Sequence, residues 1–417
     1  MKQKRTLYNE FKERGFIAQE TNAGSIQKLL DGGGPVNFYI GFDPTADSLH
    51  IGHFIPIMAM THMQRAGHRP IALVGAGTTM VGDPSGRTDM RQMMTPEQIN
   101  ANAERFKAQL SRFLDFSGGR AIMVNNADWL LELNYVDFLR DIGVHFSVNR
   151  MLTAECYKAR MEKGLSFIEF NYMLMQSYDF LELYRRYNCV MQLGGDDQWS
   201  NIISGVDLIR RKEGREAQGL TLSLLTTTDG EKMGKTMGGA LWIDADRTPP
   251  FEFYQYFRNV RDDDVSACLR LLTFLSLEEI AEYEQPGCYD INKIKKLLAF
   301  ETTKIVHGEA EAQRCADLAE SLFGGGAAGG LASLNIASTG ISAEQAESGI
   351  GIVELLTMCS LSPSRSDARR LVDQGGVIAG GVKVVSAEHK LYAGDFSDEG
   401  LLIQKGKKTF HRVMIVR

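Results

Sequence analysis

Between Pro35 and about Leu225, short apolar runs alternate with segments of helical period, and nothing else in the chain constrains its fold as strongly. Val36-Asn-Phe-Tyr-Ile-Gly-Phe42 alternates with a period of two. Val36, Phe38, Ile40 and Phe42 share one face of the predicted strand; Asn37, Tyr39, Gly41 and Asp43 share the other. Ile51, Phe54, Ile55, Met58, Ala59 and His62 then recur on one side of a predicted helix. Pro70–Val74, Ala121–Val124 and Cys189–Leu193 read as three more strands. Strand, helix, strand at this spacing predicts βαβ units and a mostly parallel sheet. Ligands of such sheets sit at the carboxyl ends of the strands.

A chain of 417 residues holds two to four domains at roughly 100–200 residues each. After Pro249-Pro250 the pattern turns helical as far as Leu322. Phe323-Gly-Gly-Gly-Ala-Ala-Gly-Gly330 is a break, and weakly patterned sequence follows to Gly349. The expected divisions are therefore 1–225, a loop and connector at 226–248, a helical domain at 249–322, a linker at 323–350 and a final unit at 351–417.

The net charge of −6 conceals a split. Residues 361–417 carry 10 Lys/Arg and 6 Asp/Glu, a net +4; the remainder has 36 against 46, a net −10. An acidic body with a small basic end differs from a uniformly acidic protein, which would argue against nucleic acid. No apolar stretch approaches the roughly 18 residues of a membrane span. The start, Met1-Lys-Gln-Lys-Arg-Thr-Leu-Tyr-Asn-Glu10, has no secretory apolar core. The six cysteines form no Cys-x-x-Cys pair, and the eight histidines add no zinc spacing. A cytosolic protein with reduced thiols and no protein-held metal is expected.

Pro44-Thr-Ala-Asp-Ser-Leu-His-Ile-Gly-His53 falls where the first strand turns into the first helix. Free backbone N–H groups and the positive end of the helix dipole make this corner an anion site. His50 and His53, three residues apart, are expected on one helical face, and Gly52 between them admits a ligand to the backbone. The string Gly41-Phe-Asp-Pro-Thr-Ala-Asp-Ser-Leu-His-Ile-Gly-His53 resembles the first signature of class I aminoacyl-tRNA synthetases, and in particular of their bacterial tyrosyl branch. The resemblance runs over nearly the whole chain. It implies an α/β fold with a Rossmann-like parallel-sheet catalytic domain, an all-helical domain on the anticodon side, and a small C-terminal α+β RNA-binding module.

Lys232-Met-Gly-Lys-Thr236 is similar to the second signature of that class, in the Gly/Thr form usual for the tyrosine branch. The reaction needs mobile cations here. An amino-acid carboxylate attacks the α-phosphorus of ATP and pyrophosphate leaves, so catalysis is positioning plus charge stabilisation. Lys232, Lys235 and Thr236 would close over the pyrophosphate, with Gly234 and Gly238-Gly239 as hinges. Arg87 and Arg91 would add charge near the phosphates, although relatives often carry Lys where Arg87 stands.

Tyr172, Gln176 and Asp179 form one polar stripe along a predicted helix. By resemblance, Tyr172, Gln176 and Asp83 hold the tyrosine ammonium, while Asp179 and Tyr39 hold its phenolic hydroxyl. A site built to bond a hydroxyl rejects phenylalanine strongly; tyrosyl-tRNA synthetase is the worked case of that rule. Gly194-Gly-Asp-Asp-Gln-Trp-Ser-Asn201 follows a strand. The resemblance places Gly195 and one of Asp196 or Asp197 at the ribose, with Asp197 favoured beside Gln198. Gln198 and Asp43 would meet substrate or adenylate, and Gly52 the ATP.

Ser364–Gly376 reads as a short helix with a Gly stop, carrying Arg365, Arg369 and Arg370. Val377-Ile-Ala-Gly-Gly-Val-Lys-Val384 reads as a hairpin. With Lys405, Lys407 and Lys408 this end resembles the small RNA-binding module first seen in a ribosomal protein. The reading implied is a tyrosine–tRNA ligase, with tRNA(Tyr), L-tyrosine, ATP and phosphate-bound Mg²⁺ as partners and a homodimer as the family state. Three rivals remain at this point. A tryptophanyl enzyme would have little use for Tyr39 and Asp179. An adenylyl-transferring ligase would not need the basic end, and an RNA-binding protein with a decayed site would not keep His50, His53, Lys232 and Lys235.

Overall fold

The alternating runs fold into a six-stranded sheet in the computed structural model. The model describes residues 5–85, 93–230, 232–236, 239–285, 290–323, 338–397, 400–406 and 409–416. The strands are β1 (Ile17–Glu20), β2 (Asn37–Phe42), β3 (Arg69–Val74), β4 (Ile122–Asn125), β5 (Cys189–Gly195) and β6 (Gln218–Leu222). Their spatial order is β1-β6-β5-β2-β3-β4. All neighbours are parallel except β1, which runs antiparallel to β6 at the edge. β2 pairs with β3 on one side and with β5 on the other, so the connections leave in opposite directions. That arrangement opens a crevice at the carboxyl ends of β2 and β5.

The four strands expected from the sequence are present, but β1 and β6 carry no comparable signal. β6 is buried along its whole length, yet Gln218 and Thr221 interrupt its apolar pattern. Thr21 Oγ1 donates to Gln218 Oε1 at 2.8 Å, and Thr221 Oγ1 donates to Asp196 Oδ1 at 2.8 Å. A polar side chain can lie in a core once it is hydrogen-bonded.

The first helix also departs from the one-sided stripe expected. A 3₁₀ turn, Ile51–His53, leads into the helix Phe54–Arg65, in which Phe54, Ile55 and Ile57 through Met63 are all buried. β3 covers one side and the helix Val265–Leu272 packs against it as well. His62, within this stretch, is pushed down to a pKa of about 3 by burial and then by the charges of Arg14 and Arg65.

The chain divides into two compact units, 1–248 with 260–306, and 249–259 with 307–417. The helical stretch expected as one domain at 249–322 is thus shared between them. Val265–Leu272, Leu277–Tyr283 and Ile291–His307 are its helices on the sheet-bearing side, to residue 306. Pro250–Arg258 packs against Glu309–Phe323 in the second unit. Arg14 gives the physical reason for the first grouping. Its guanidinium is buried, pairs with Glu10 at 2.8 Å, and donates to Arg270 O at 3.0 Å and Leu275 O at 2.7 Å.

The C-terminal sheet starts earlier than the expected boundary at 351. Ser338–Ser342 lies parallel to Thr409–Val416, which pairs in turn with Leu401–Lys405, Val377–Ala379 and Val382–Lys383 in that order. Helices Ile352–Met358 and Arg365–Asp373 pack together, and Leu355, Leu356, Ala368, Val372, Ile403 and Val413 share the module's core. The hairpin turn is as read: Gly380 and Gly381 both take positive φ, at 54° and 83°, which a two-residue turn of this kind requires. Among the described residues no helix is long and apolar enough to cross a membrane.

Arg14→Met should destabilise the protein by about 2–4 kcal/mol, because two half-buried carbonyls and Glu10 lose a buried cationic partner. Urea denaturation of the two proteins measures this; a difference below about 0.5 kcal/mol would contradict the tie.

Candidate active site

A cavity of about 780 Å³ lies at the carboxyl ends of β2 and β5. It collects residues that are far apart in the chain: Tyr39, Asp43, His50, Gly52, His53, Asp83, Tyr172, Gln176, Asp179, Gly195, Asp197, Gln198 and Lys232. Arg87 and Arg91 lie outside the described residues, as do the side chains of Lys235 and Thr236.

The two histidines do not share a helical face. His50 is extended and precedes the 3₁₀ turn, while His53 ends it. His53 Nδ1 accepts from His50 N at 3.1 Å, and His50 Nδ1 accepts from Gly52 N at 3.0 Å. The rings stack with centroids 4.1 Å apart. Because each Nδ1 accepts from backbone, a neutral ring carries its proton on Nε2 and offers it as a donor. Gly52 serves this geometry: a Cβ there would stand 2.8 Å from His50 Cε1. The bare residue makes room for the ring itself.

The second signature is stitched to the first. Ile51 N donates to Leu241 O at 2.9 Å, Leu241 N donates to Gly234 O at 2.8 Å, and Ile243 N donates to Leu49 O at 2.9 Å. Gly234 has a φ of 93°, and a Cβ on it would fall 1.9 Å from Ile51 Cγ2. Its bareness therefore permits a close approach to Ile51. Lys235–Thr236 pairs with Gly239–Ala240 as a two-stranded ribbon.

At the other end of the cavity Asp179 is 1% exposed. Trp129 Nε1 donates to its Oδ1 at 2.7 Å and Asn126 Nδ2 to its Oδ2 at 2.9 Å. Burial raises its carboxyl to about 8 while these two hydrogen bonds oppose the rise. The Tyr39 hydroxyl is buried with no hydrogen-bond partner among the described residues, and so are Gln176 Oε1 and Gln192 Oε1. Burial and then the charge of Asp179 hold the Tyr39 phenol well above its ordinary pKa. Such unpartnered polar atoms lining a cavity point to a polar ligand, since each costs about 1–3 kcal/mol unmet.

Asp43, Asp83 and Gln198 form the middle of the site. Tyr172 Oη donates to Asp43 Oδ2 at 2.8 Å, and Thr78 Oγ1 donates to Asp43 Oδ1 at 2.7 Å. Gln198 Nε2 donates to Asp83 Oδ2 at 2.7 Å. The two adjacent aspartates separate cleanly. Asp196 accepts from Gln19 Nε2 and Thr221 Oγ1, both at 2.8 Å, whereas Asp197 lines the cavity. Burial and then Asp83 raise the Asp197 carboxyl, and Lys232 opposes them.

Thr78, Asn126, Trp129 and Gln192 were not singled out from the sequence. Asn126 had one usable signal: it follows the end of a parallel strand, where polar residues face ligands. Trp129 had none, because an indole in an apolar helix reads as core. In the C-terminal module Arg365, Arg369 and Arg370 are exposed along one helix. Lys405 instead donates Nζ to Leu361 O at 2.6 Å, a tie within the fold. Lys407 and Lys408 lie outside the described residues.

Paired histidines at a βα corner, a lysine-bearing loop stitched to them, and a carboxylate-lined cavity at the switch point define a class I aminoacyl-tRNA synthetase. A family model described as class I tRNA synthetases (W and Y) matches residues 31–324. A second, described as the tyrosine--tRNA ligase SYY-like C-terminal domain, matches residues 335–413. The chain belongs to the tyrosine--tRNA ligase family: it is 59% identical to the Tyrosine--tRNA ligase of Acetivibrio thermocellus, over 99% of this chain and 100% of that one. It is 56% identical to that of Clostridium botulinum, over 98% and 99%. A C-terminally truncated mitochondrial tyrosyl-tRNA synthetase from Aspergillus nidulans superposes with a TM-score of 0.69 at 29% identity, covering 77% of this chain and 95% of that one.

The raised Asp179 carboxyl carries a stability consequence. An unfolded aspartate ionises near ~3.9. Between there and about 8 the folded chain retains a proton that the unfolded chain has released. The stability linked to this group is therefore complete below about pH 4 and is lost as pH rises toward 8. Asp179→Asn removes that slope. Urea melts at about pH 5 and about pH 8 should show the variant gaining on the wild type by about 2–4 kcal/mol. An unchanged difference would mean that the carboxyl ionises in its ordinary range.

Proposed function

We infer that the chain activates L-tyrosine with ATP and transfers it to the 3′ end of tRNA(Tyr). The observation that carries the tyrosine specificity is the buried Tyr39 hydroxyl, without a hydrogen-bond partner among the described residues, in the cavity that also holds Asp179. A phenolic hydroxyl can hydrogen-bond the Asp179 carboxyl and accept from Tyr39 at once. Phenylalanine leaves the Tyr39 hydroxyl unmet, and an indole cannot accept from Tyr39.

On this reading Tyr172, Gln176 and Asp83 hold the substrate ammonium, and Gln198 and Asp43 orient the carboxylate and the adenylate. Gly195 and Asp197 take the ribose. ATP enters as its Mg²⁺ complex, the ion riding on the phosphate oxygens. The tyrosine carboxylate oxygen attacks the α-phosphorus, and the bond to the bridging oxygen of pyrophosphate breaks. Nε2–H donors from His50 and His53 and the Lys232, Lys235 and Thr236 loop meet the charge that builds on the phosphates. Arg87 and Arg91 belong to the same group of cations. The 3′-terminal ribose hydroxyl then attacks the activated carbonyl and AMP leaves. The preformed backbone bonds that fix both histidine rings favour a transition-state role, since no reorganisation is then needed.

The functional division follows the chain. Activation belongs to 1–225 with the 226–248 loop, the helical stretch 249–322 serves the anticodon side, and the basic module, which begins with the strand Ser338–Ser342 instead of at 351, grips RNA. Arg365, Arg369 and Arg370 supply its phosphate contacts, with Lys407 and Lys408, and with Lys405 in a supporting part. A homodimer is supported by apolar exposure concentrated in one stretch: Tyr135, Val136, Val144, Val148 and Phe167 are 56–71% exposed. The setting we propose is cytoplasmic.

Amino-acid-dependent exchange of pyrophosphate into ATP tests the specificity. Tyrosine should support exchange and tryptophan should not; exchange with tryptophan alone would overturn the assignment. His50→Ala should slow single-turnover adenylate formation by about 100-fold while changing tyrosine affinity less than about twofold. An unchanged rate constant would remove His50 from the transition state.

A further inference from the structure

We propose that Asp264, on the helical stretch outside the cavity, is a positioning residue that latches the loop carrying Lys232. The proposal rests on the reading of Lys232 as a phosphate-side cation given above.

Lys232 sits on a hairpin. Met233 N donates to Leu225 O at 2.8 Å, Thr226 and Lys232 form an isolated antiparallel bridge, and Gly230 N donates to Thr227 O at 2.8 Å to close the turn. The arm beyond Lys232 is docked on the first signature through Gly234 and Ile51. The turn at the opposite end is held by Asp264. Its Oδ1 accepts from Thr228 N at 2.7 Å and from the Thr228 hydroxyl as well. Asp264 is only 4% exposed, and its Oδ2 is buried without a hydrogen-bond partner among the described residues.

The position makes this use of the carboxylate unusual. Asp264 ends the 3₁₀ turn Asp262–Asp264 that leads directly into the helix Val265–Leu272, with helical backbone angles, and its carboxylate makes no bond to the N–H groups of that helix. It reaches instead to a turn 36 residues upstream. The neighbouring Arg261–Asp229 ion pair joins the same two segments, but both side chains are more than half exposed, so it contributes little. A solvated lysine loop loses rotational freedom only if its frame is rigid. Here the frame has one anchor on Ile51 and one on Asp264, and Lys232 lies between them. The helix Val265–Leu272 also packs on the helix that the histidines lead into. One compact unit therefore carries both the histidine corner and the far anchor of the lysine hairpin.

The test uses the full-length enzyme and tyrosine-dependent pyrophosphate exchange, with tyrosine affinity measured separately by calorimetry. Asp264→Ala should lower the exchange kcat roughly tenfold while leaving tyrosine affinity within about twofold. Asp264→Asn keeps an oxygen that accepts both Thr228 donors and should restore the rate to within about threefold of wild type. Thr228→Val, which removes only the hydroxyl, should fall between the two. In a Lys232→Ala background, Asp264→Ala should add less than about a twofold loss, because the two act as one unit. Should Asp264→Ala not fold, the Asn and Val variants carry the test. The latch is overturned if Asp264→Ala or Thr228→Val matches the wild type while Lys232→Ala is slow; the site reading then stands. It is also overturned if tyrosine affinity and rate fall together and Asn restores neither, which marks a merely structural bond. Wild-type exchange by Lys232→Ala would overturn the reading of the lysine itself, and the latch with it.

Discussion

The pairing of β2 between β3 and β5 is the constraint on which the rest of the molecule depends. Two parallel neighbours whose connections leave in opposite directions cannot close over their own carboxyl ends. The crevice left there is where Tyr39 and Asp43 from β2 and its end, Gln192 and Gly195 from β5, and His50 and His53 from the following turn converge. Each of those residues is buried or half-buried by a neighbour placed for another purpose. The helix Tyr172–Tyr187, for example, packs on β5 and the helix after it, and so brings Tyr172, Gln176 and Asp179 to the cavity wall.

Within that crevice the two ends obey different electrostatics. At the Asp179 end the site is enclosed, and burial lifts the carboxyl to about 8 despite two donated hydrogen bonds. A charge held there is expensive unless a partner bonds it. At the Lys232 end the side chain is exposed, so its cation is hydrated. Preorganisation at the histidines comes from backbone N–H bonds, at the lysine from a hairpin anchored at both ends. Gly52 and Gly234 permit this by opposite means, one giving room to a side chain and the other letting a backbone approach Ile51.

Much of this was legible in the chain. The alternation from Pro35 to Leu225 exposed four strands, and the residues drawn from both signatures and the polar stripe line a single cavity wherever they are described. β1 and β6 escaped because their polar residues are satisfied by partners distant in sequence, Gln19 of β1 by Asp196 and Gln218 of β6 by Thr21. Asn126 and Trp129 escaped because their role is defined only by the carboxylate they bond. The helical stretch looked like one domain because its period is continuous, whereas Arg14 binds part of it to the N-terminal helix.

The sequence alone determined the class of chemistry. Residue identity sets what a group can donate, accept or carry, and short-range spacing sets strand, helix and turn. The tertiary structure alone decided which of Asp196 and Asp197 faces the cavity, why position 234 is bare, and which helix holds the lysine hairpin. Those outcomes depend on contacts between residues tens to hundreds of positions apart. Their energies exist only after the sheet order has brought the partners within hydrogen-bond or van der Waals reach, and no local pattern records them in advance.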